Sequence, residues 1–122
     1  MTPLHYLDFD YSEDAEGVGT FDALASVPEA RLPALLQEIA HLLDWAHAEF
    51  PPGPAPLDEG GTWHYDLSGV QEIATPLRLH HQPGTACVAQ PEAAGSTRYS
   101  VSLSLSGLPP FCDALRDTFE VD

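Results

Sequence analysis

The stretch Thr97-Arg98-Tyr99-Ser100-Val101-Ser102-Leu103-Ser104-Leu105-Ser106 alternates bulky and hydroxyl side chains without interruption from Tyr99 onward. Successive side chains of a β-strand point to opposite faces, so the bulky residues share one face and the serines share the other. A face of serines without charges protects an edge strand poorly. We therefore predict a strand over 97–106 that is either central in a sheet or covered, with a second copy of the chain as one candidate cover.

A long helix is predicted upstream, over about residues 28–50. Ser26, Pro28 and Glu29 form a helix-start pattern, and Pro33 is tolerated only in the first turn. The proline-rich segment 51–56 ends the helix. Apolar residues recur at three- and four-residue spacing and form one stripe; they are Leu32, Leu35, Leu36, Ile39, Leu42, Leu43, Ala46 and Phe50.

Shorter patterns complete the chain. Alternation predicts strands over 3–11 and 62–67, a hairpin over 77–88 and a short helix over 109–119, whereas 12–20 has the glycines and charges of a loop. Residues 20–27 are ambiguous. The fold class that these elements predict is α+β, in a single domain over 1–122. A mostly antiparallel sheet of four to five strands has one long and one short helix packed on one face.

An acidic block runs from Asp8 to Asp22 and contains no Lys or Arg; its acids are Asp8, Asp10, Glu13, Asp14, Glu16 and Asp22. The whole chain has four Arg, no Lys and nineteen Asp plus Glu, for a formal charge of -15. Binding to phosphates needs clustered basic residues, so we predict neither nucleic acid nor an anionic membrane as a partner. A basic protein surface, a cation or a neutral ligand remains open.

The acidic block does not match a calcium-binding EF-hand. A loop starting at Asp8 puts Glu13 where the sharp turn needs Gly, and Gly19 where a bidentate Glu is required. Acidic loops are usually solvated, so we predict no metal and no cofactor. The alternative is a different cation site, built from Asp8, Asp10, Asp14 and Glu16.

Six histidines raise the question of an enzyme. His41 and His47 lie about 240° apart around the predicted helix, and the adjacent His80 and His81 point to opposite faces of a strand. No spacing requires these side chains to converge. A small metal-dependent or His/carboxylate enzyme is therefore the alternative function, and its residues would be His64, His80 or His81 with Asp8, Asp10 or Asp66.

The two cysteines, Cys87 and Cys112, both fall among apolar residues, so we predict that both are buried in the core as free thiols. The first residues show no basic stretch followed by an apolar one, so we expect no secretory signal, and no apolar run approaches the roughly 20 residues that span a bilayer. The simplest compartment is the cytoplasm, where thiols stay reduced.

Residues 6–14 read Tyr-Leu-Asp-Phe-Asp-Tyr-Ser-Glu-Asp, and Gly-Thr-Phe-Asp follows at 19–22. Together with residues 57–61 and 103–107, these stretches resemble a group of short bacterial proteins of unassigned function. This resemblance implies no activity, ligand or functional residue. It favours a compact bacterial cytoplasmic domain.

The function predicted from the sequence is a non-enzymatic acidic binding module for a basic protein partner. The acidic block would supply the charge, and Trp45 could supply an aromatic anchor. Trp45 lies about 130° from the centre of the apolar helix stripe, so its ring is partly exposed unless another segment covers it. Two interpretations of Trp45 remain open: residues 51–60 cover its ring, or the ring forms part of a binding surface. Whether the protein forms a homodimer is also open.

Overall fold

A computed structural model describes residues 2–92 and 95–121. Its strands and α-helices follow each other in the order β-β-α-β-β-β-β-α. They are β1 (Asp10–Glu13), β2 (Gly19–Pro28), α1 (Leu32–Glu49), β3 (Trp63–Ala74), β4 (Leu77–Gln82), β5 (Ala86–Pro91), β6 (Ser96–Gly107) and α2 (Pro109–Phe119). Single 3₁₀ turns precede α1 and β3, at Glu29–Arg31 and Leu57–Glu59.

The serine-rich strand β6 is central in an antiparallel sheet of order β1-β2-β6-β3. It pairs over ten residues with β2 on one side and over twelve residues with β3 on the other. The predicted strand over 97–106 is confirmed, and of the two alternatives for its serine face the central position is correct. Both neighbours satisfy its backbone groups, so the absence of edge-protecting charges carries no penalty.

One face of this sheet carries the core. The alternation of the pleat brings the buried residues of β2 and β6 to this face; they are Phe21, Ala23, Ala25, Val27, Val101, Leu103 and Leu105. Both helices pack on the same face and bury Leu35, Ile39, Leu42, Ala46, Phe111, Cys112, Leu115 and Phe119. The predicted α+β class, with one long and one short helix on one face of the sheet, is confirmed.

Trp63 joins three elements at one end of the core. Its ring is fully buried and stacks on Phe111 of α2, with ring centroids 5.4 Å apart and planes only 4° from parallel. Its indole N–H donates a hydrogen bond to the carbonyl oxygen of Phe50, just after α1, at 3.1 Å. The buried polar atom is thereby satisfied, and the start of β3 is held to both helices.

The helix α1 begins four residues later than predicted. The helix-start interpretation of Ser26 and Pro28 was wrong, because both residues lie in β2, where Ser26 pairs with Ser100. Pro33 does lie in the first turn, as expected, and the helix ends at Glu49, one residue before the predicted end. The true start follows the 3₁₀ turn, whose Pro28 cap has extended backbone angles.

The ambiguous segment 20–27 is the strand β2, and the predicted loop over 12–20 is reduced to a turn between β1 and β2. Small and polar residues such as Ala23, Asp22 and Ser26 have low strand propensity, and for this reason the residue pattern of 20–27 does not identify a strand. Pairing with β6 decides the conformation, since it buries Ala23 and Ala25 beside Leu103 and Val101.

The predicted strand over 3–11 was wrong over most of its length. Only Asp10–Glu13 forms a strand, and the preceding residues are tied to α1 by a carboxylate. Glu38 accepts hydrogen bonds from the backbone N–H groups of His5, Tyr6 and Leu7 at 2.6, 2.9 and 2.9 Å. These donors are the ones that a strand would need for pairing, so the carboxylate substitutes for a neighbouring strand.

The outer part of the edge strand β3 and the hairpin that follows it form an exposed arm. We use this name for residues 67–91, which comprise β3 from Leu67 onward and the hairpin of β4 and β5. Every residue of the arm except Val88 is exposed. The hairpin predicted over 77–88 is confirmed, and Glu92 N–H donates to Pro76 O at 2.9 Å just after it. Among the residues described, no helix is both long and apolar enough to cross a bilayer.

Replacing Glu38 with Ala should lower the free energy of unfolding by about 1–3 kcal/mol, because three backbone donors lose a charged acceptor. Amide hydrogen exchange at residues 5–7 should accelerate more than exchange in β6. Chemical denaturation and hydrogen exchange measure both effects. Gln37→Ala, on the exposed side of the same helix, is the control and should change neither; equal effects of the two variants would contradict the stabilising role of the three hydrogen bonds to Glu38.

Candidate functional site

The sheet face opposite the helices, here called the outer face, is left uncovered by either helix. Its central strand contributes Ser100, Ser102, Ser104 and Ser106. On either side, β2 contributes alternate residues from Thr20 to Ser26, and β3 contributes His64, Asp66, Ser68 and Val70. The pleat therefore places hydroxyls in the centre of this face and most of its charges to the sides.

Three carboxylates lie in one line across the four strands. Asp10 of β1 is directly opposite Asp22 of β2, Asp22 is opposite Ser104, and Ser104 is opposite Asp66 of β3. We call Asp10, Asp22 and Asp66 the acidic row. Strands are spaced about 4.8 Å apart, so the row extends roughly 15 Å across the sheet.

The acidic row lies in an open groove of about 500 Å³. Asp8, just before β1, adds a fourth carboxylate to its lining, and Leu24 adds an aliphatic side chain that is 69% exposed. The serines Ser68, Ser102 and Ser104 supply hydroxyl groups between the acids. The groove therefore combines negative charge, hydrogen-bonding groups and one apolar contact surface.

The arginines of the described chain are engaged elsewhere or lie away from the groove. Arg78 forms an ion pair with Glu92 at 3.5 Å on the arm, and Arg98 donates to the carbonyl oxygen of Ser26 at 3.0 Å. Arg116 lies over the Tyr11 ring, 3.7 Å from its centroid, on the helix side of the sheet. Within residues 2–92 and 95–121 no ion pair is formed by the acidic row, so its carboxylates face solvent with uncompensated charge.

The predicted acidic block divides between two places. Asp8, Asp10 and Asp22 meet in the outer groove, whereas Asp14 and Glu16 line a second groove beside His64 and Asp58. Asp14 has a structural task there, since it accepts the N–H groups of Glu16 and Val18 at 2.9 Å each and closes the turn.

Glu13 lies apart from both grooves. Its carboxylate accepts a hydrogen bond from the Tyr11 hydroxyl at 3.1 Å. Burial, reinforced by this hydrogen bond, raises the pKa of the Tyr11 phenol. Glu13 is therefore engaged with a neighbouring side chain and does not extend the acidic row.

Asp66 is the member of the outer groove that the acidic-block interpretation missed. It lies 44 positions after Asp22 in the chain, and only the register of β3 on β6 brings the two carboxylates into one row. One signal was present in the sequence: Asp66 lies between Tyr65 and Leu67, on the opposite face of an alternating strand from Trp63.

Trp45 lies on the helix side of the sheet, apart from the acidic row. Its half-buried ring contacts three phenylalanines edge-on or tilted: Phe119 at 5.2 Å, Phe50 at 6.0 Å and Phe111 at 6.2 Å between centroids. The helix α2 and Phe50 thus pack on this ring. The structure does not bring Trp45 and the acidic groove into one surface.

The histidines proposed for an enzyme lie in different parts of the molecule. His64 is on the outer face opposite Ser106, whereas His80 and His81 are exposed on the arm, opposite Val88 and Cys87. Over residues 2–92 and 95–121, no three His, Cys, Asp or Glu side chains form a group suited to a metal ion.

The two thiols have different environments. Cys112 is buried, as predicted, and its Sγ–H donates to Gly107 O at 3.4 Å; burial raises the pKa of this thiol. The prediction that Cys87 is also buried was wrong. Its apolar neighbours lie on a hairpin that extends beyond the core, so no second layer covers either face.

Asp22→Asn should raise the free energy of unfolding by about 0.2–1 kcal/mol in low salt, since like charges directly opposite on adjacent strands are destabilising. In roughly 1 M salt the gain should shrink, because the Debye length falls to about 3 Å. Urea denaturation at both salt concentrations provides the measurement. Asp44→Asn makes the same charge change on α1 and is the control. A gain in stability of the same size and salt dependence in this variant would refute the repulsion between Asp10 and Asp22.

Stability should also fall as the pH rises above about 8.5, the ordinary range for a thiol in an unfolded chain. The folded state holds the Cys112 proton to higher pH, so the unfolded state loses its proton first and gains relative stability. Cys112→Ala should flatten this slope between about pH 8 and 9.5. The exposed Cys87 provides the control, since Cys87→Ser should leave the pH dependence of stability unchanged. A slope that Cys87→Ser flattens and Cys112→Ala does not would contradict the assignment of the effect to Cys112.

Comparison with known proteins found no match to this chain among protein-family models, curated proteins or solved structures. A function can therefore be inferred only from the geometry and charge of the molecule itself.

Proposed function

We propose that this protein is a non-enzymatic binding module whose outer groove binds a basic segment of a protein partner. The observation that carries the proposal is the acidic row, in which Asp10, Asp22 and Asp66 come together from three strands. Asp10 and Asp22 lie directly opposite each other, an arrangement that weakens the sheet in isolation. A bound cationic side chain relieves this repulsion.

The spacing of the carboxylates favours an extended basic chain. Asp22 and Asp66 are separated by β6, which puts them two strand spacings, or about 10 Å, apart. A polyproline II chain repeats every three residues with about 3.1 Å rise per residue, so basic side chains at every third position lie about 9 Å apart on one side. Such a segment can address both carboxylates at once.

The rest of the groove suits the stems and backbone of such a partner. Leu24 provides an exposed apolar surface on which the methylene stem of an Arg or Lys can lie while its charged head reaches a carboxylate. The hydroxyls of Ser68, Ser102 and Ser104 can exchange hydrogen bonds with the partner's backbone. Arg is favoured over Lys because its planar guanidinium pairs with a carboxylate in bidentate fashion.

The net charge acts at longer range. A formal charge of -15 attracts a cationic partner before contact and repels nucleic acids and anionic lipid surfaces. Electrostatic attraction of this kind raises the association rate and weakens as salt screens it. The proposal therefore requires an affinity that depends steeply on ionic strength.

A peptide of about twelve residues with Arg at every third position should bind the wild-type protein, and about tenfold more weakly when all three acids of the row are replaced by Asn. The loss follows from removing the charges that face the peptide. Isothermal titration calorimetry at about 50 mM and 300 mM salt measures the affinity and its salt dependence.

The matched control is Asp44→Asn/Asp113→Asn/Asp117→Asn, which removes three negative charges from exposed positions on the helices. This variant should bind the peptide within about twofold of wild type, because only the long-range attraction changes. Equal losses in both triple variants would show that net charge, and not the groove, attracts the peptide. A peptide with Gln in place of Arg should not bind.

A further inference from the structure

The outer edge of β3 is free along the arm. The carbonyl oxygen of Trp63 accepts the N–H of Ala55 at 3.0 Å, so odd-numbered residues of β3 direct their backbone groups away from β6. The same alternation points the N–H and C=O groups of Leu67, Gly69, Gln71 and Ile73 outward. Within the described residues these groups have no backbone partner, and the residues are exposed.

This edge has few of the devices that keep sheet edges from pairing, since Glu72 is the one charged residue of β3 from Leu67 onward. β3 contains no Pro, Lys or Arg, and it stays in one uninterrupted register with β6, without a bulge, from Trp63 to Ala74. Its exposed part carries Leu67, Val70 and Ile73, which are 45%, 58% and 69% exposed. A long, apolar, unprotected edge of this kind is a template for another strand.

We propose that β3 pairs antiparallel with β3 of a second copy of this chain, across a two-fold axis at Val70. The two four-stranded sheets then form one continuous sheet of eight strands, with all helices on one side. Such an interface is isologous: each copy presents the same strand to the other. Both acidic grooves lie on the opposite side of this sheet, one in each copy.

The sequence of β3 is self-complementary about Val70. With the axis there, Leu67 faces Ile73 of the other copy, Val70 faces its own counterpart, and Glu72 faces the neutral Ser68. Moving the axis to Gly69 places Glu72 opposite Asp66 and loses the Leu–Ile pair. Aliphatic cross-strand pairs stabilise a sheet and like charges opposite each other weaken it, so Val70 is the favoured centre.

The charge distribution favours a second copy at this edge. The arm together with the adjacent Glu92, which pairs with Arg78, contains two acids, Glu72 and Glu92, and one base, so its net charge is only -1, whereas the whole chain carries -15. The nearest acid of the row, Asp66, lies opposite Ala74 of the other copy, so the two Asp66 residues are about 27 Å apart. That distance exceeds the roughly 8–10 Å Debye length in physiological salt, so the acidic bodies barely repel each other.

The size of the contact fits a weak dimer. Pairing about Val70 allows about eight backbone hydrogen bonds between the copies, because each hydrogen-bonded residue pair exchanges two. The pairing also brings together the exposed aliphatic side chains of Leu67, Val70 and Ile73 from each copy. A contact of this small size lies at the low end of the range for specific interfaces and fits a weak, transient dimer.

The register is tested by disulfide formation in a Cys87→Ser background, which leaves the buried Cys112 as the native thiol. Val70→Cys should give a covalent dimer under mild oxidation, since the two cysteines face each other at the axis. Glu72→Cys is the matched control on the same strand face. Its two copies would lie about 13 Å apart, well beyond the roughly 7 Å that a disulfide can bridge.

Analytical ultracentrifugation tests the association itself in the wild-type protein. A concentration-dependent dimer is expected between about 1 and 100 µM. Val70→Lys should abolish it by placing two cations together at the axis, whereas Leu36→Lys, on an exposed site of α1, should leave it intact. Circular dichroism should show both variants folded, because both original side chains are exposed.

Three results would overturn the proposal. The first is a wild-type protein that stays monomeric at about 100 µM, the concentration at which a weak interface becomes populated. The second is a dimer that survives Val70→Lys. The third is cross-linking of Glu72→Cys as readily as Val70→Cys, which would mean that the copies meet in another register or by chance.

Discussion

The structure depends on the two-sided alternation of β6. Its bulky residues face the helices and its serines face outward, and it is the strand that both β2 and β3 pair with along their lengths. Because each neighbour must match this pleat, the central strand decides which side chains of β2 and β3 are buried and which are exposed. A shift of one residue would exchange Phe21 with Asp22 and Tyr65 with Asp66, and would place carboxylates in the core.

The same constraint creates the acidic groove. Once Phe21 and Tyr65 pack inward, Asp22 and Asp66 must face outward in the row defined by Ser104. Serine in the centre of the row leaves room between flanking carboxylates, where a bulky residue would fill the groove. The outer face therefore concentrates charge as a consequence of burying the apolar face, and this local repulsion is tolerable because the core on the other side is extensive.

The molecule has an asymmetric distribution of burial along β3. At its start, Trp63 is fully enclosed by Phe111 and by the end of α1, whereas a few residues later Leu67 and Val70 are exposed. The strand β3 lies at the edge of the sheet, so Leu67 is exposed although its partner Leu103 on β6 is buried. The negative charge is concentrated in the outer groove, whereas the exposed apolar side chains lie on the arm. The groove suits a charged partner, and the arm suits an apolar contact.

The sequence by itself determined the α+β class, the strand 97–106, the hairpin 77–88 and both helices, because local periodicity and proline positions encode them directly. Only the tertiary structure decided the strand β2, the hydrogen bonds of Glu38 to residues 5–7, the exposure of Cys87 and the alignment of Asp66 with Asp10 and Asp22. Each of these depends on residues that are distant in the chain. Pairing with β6 stabilises the strand β2, whose residues have weak strand propensity, and packing of a second layer decides whether a side chain such as that of Cys87 is buried.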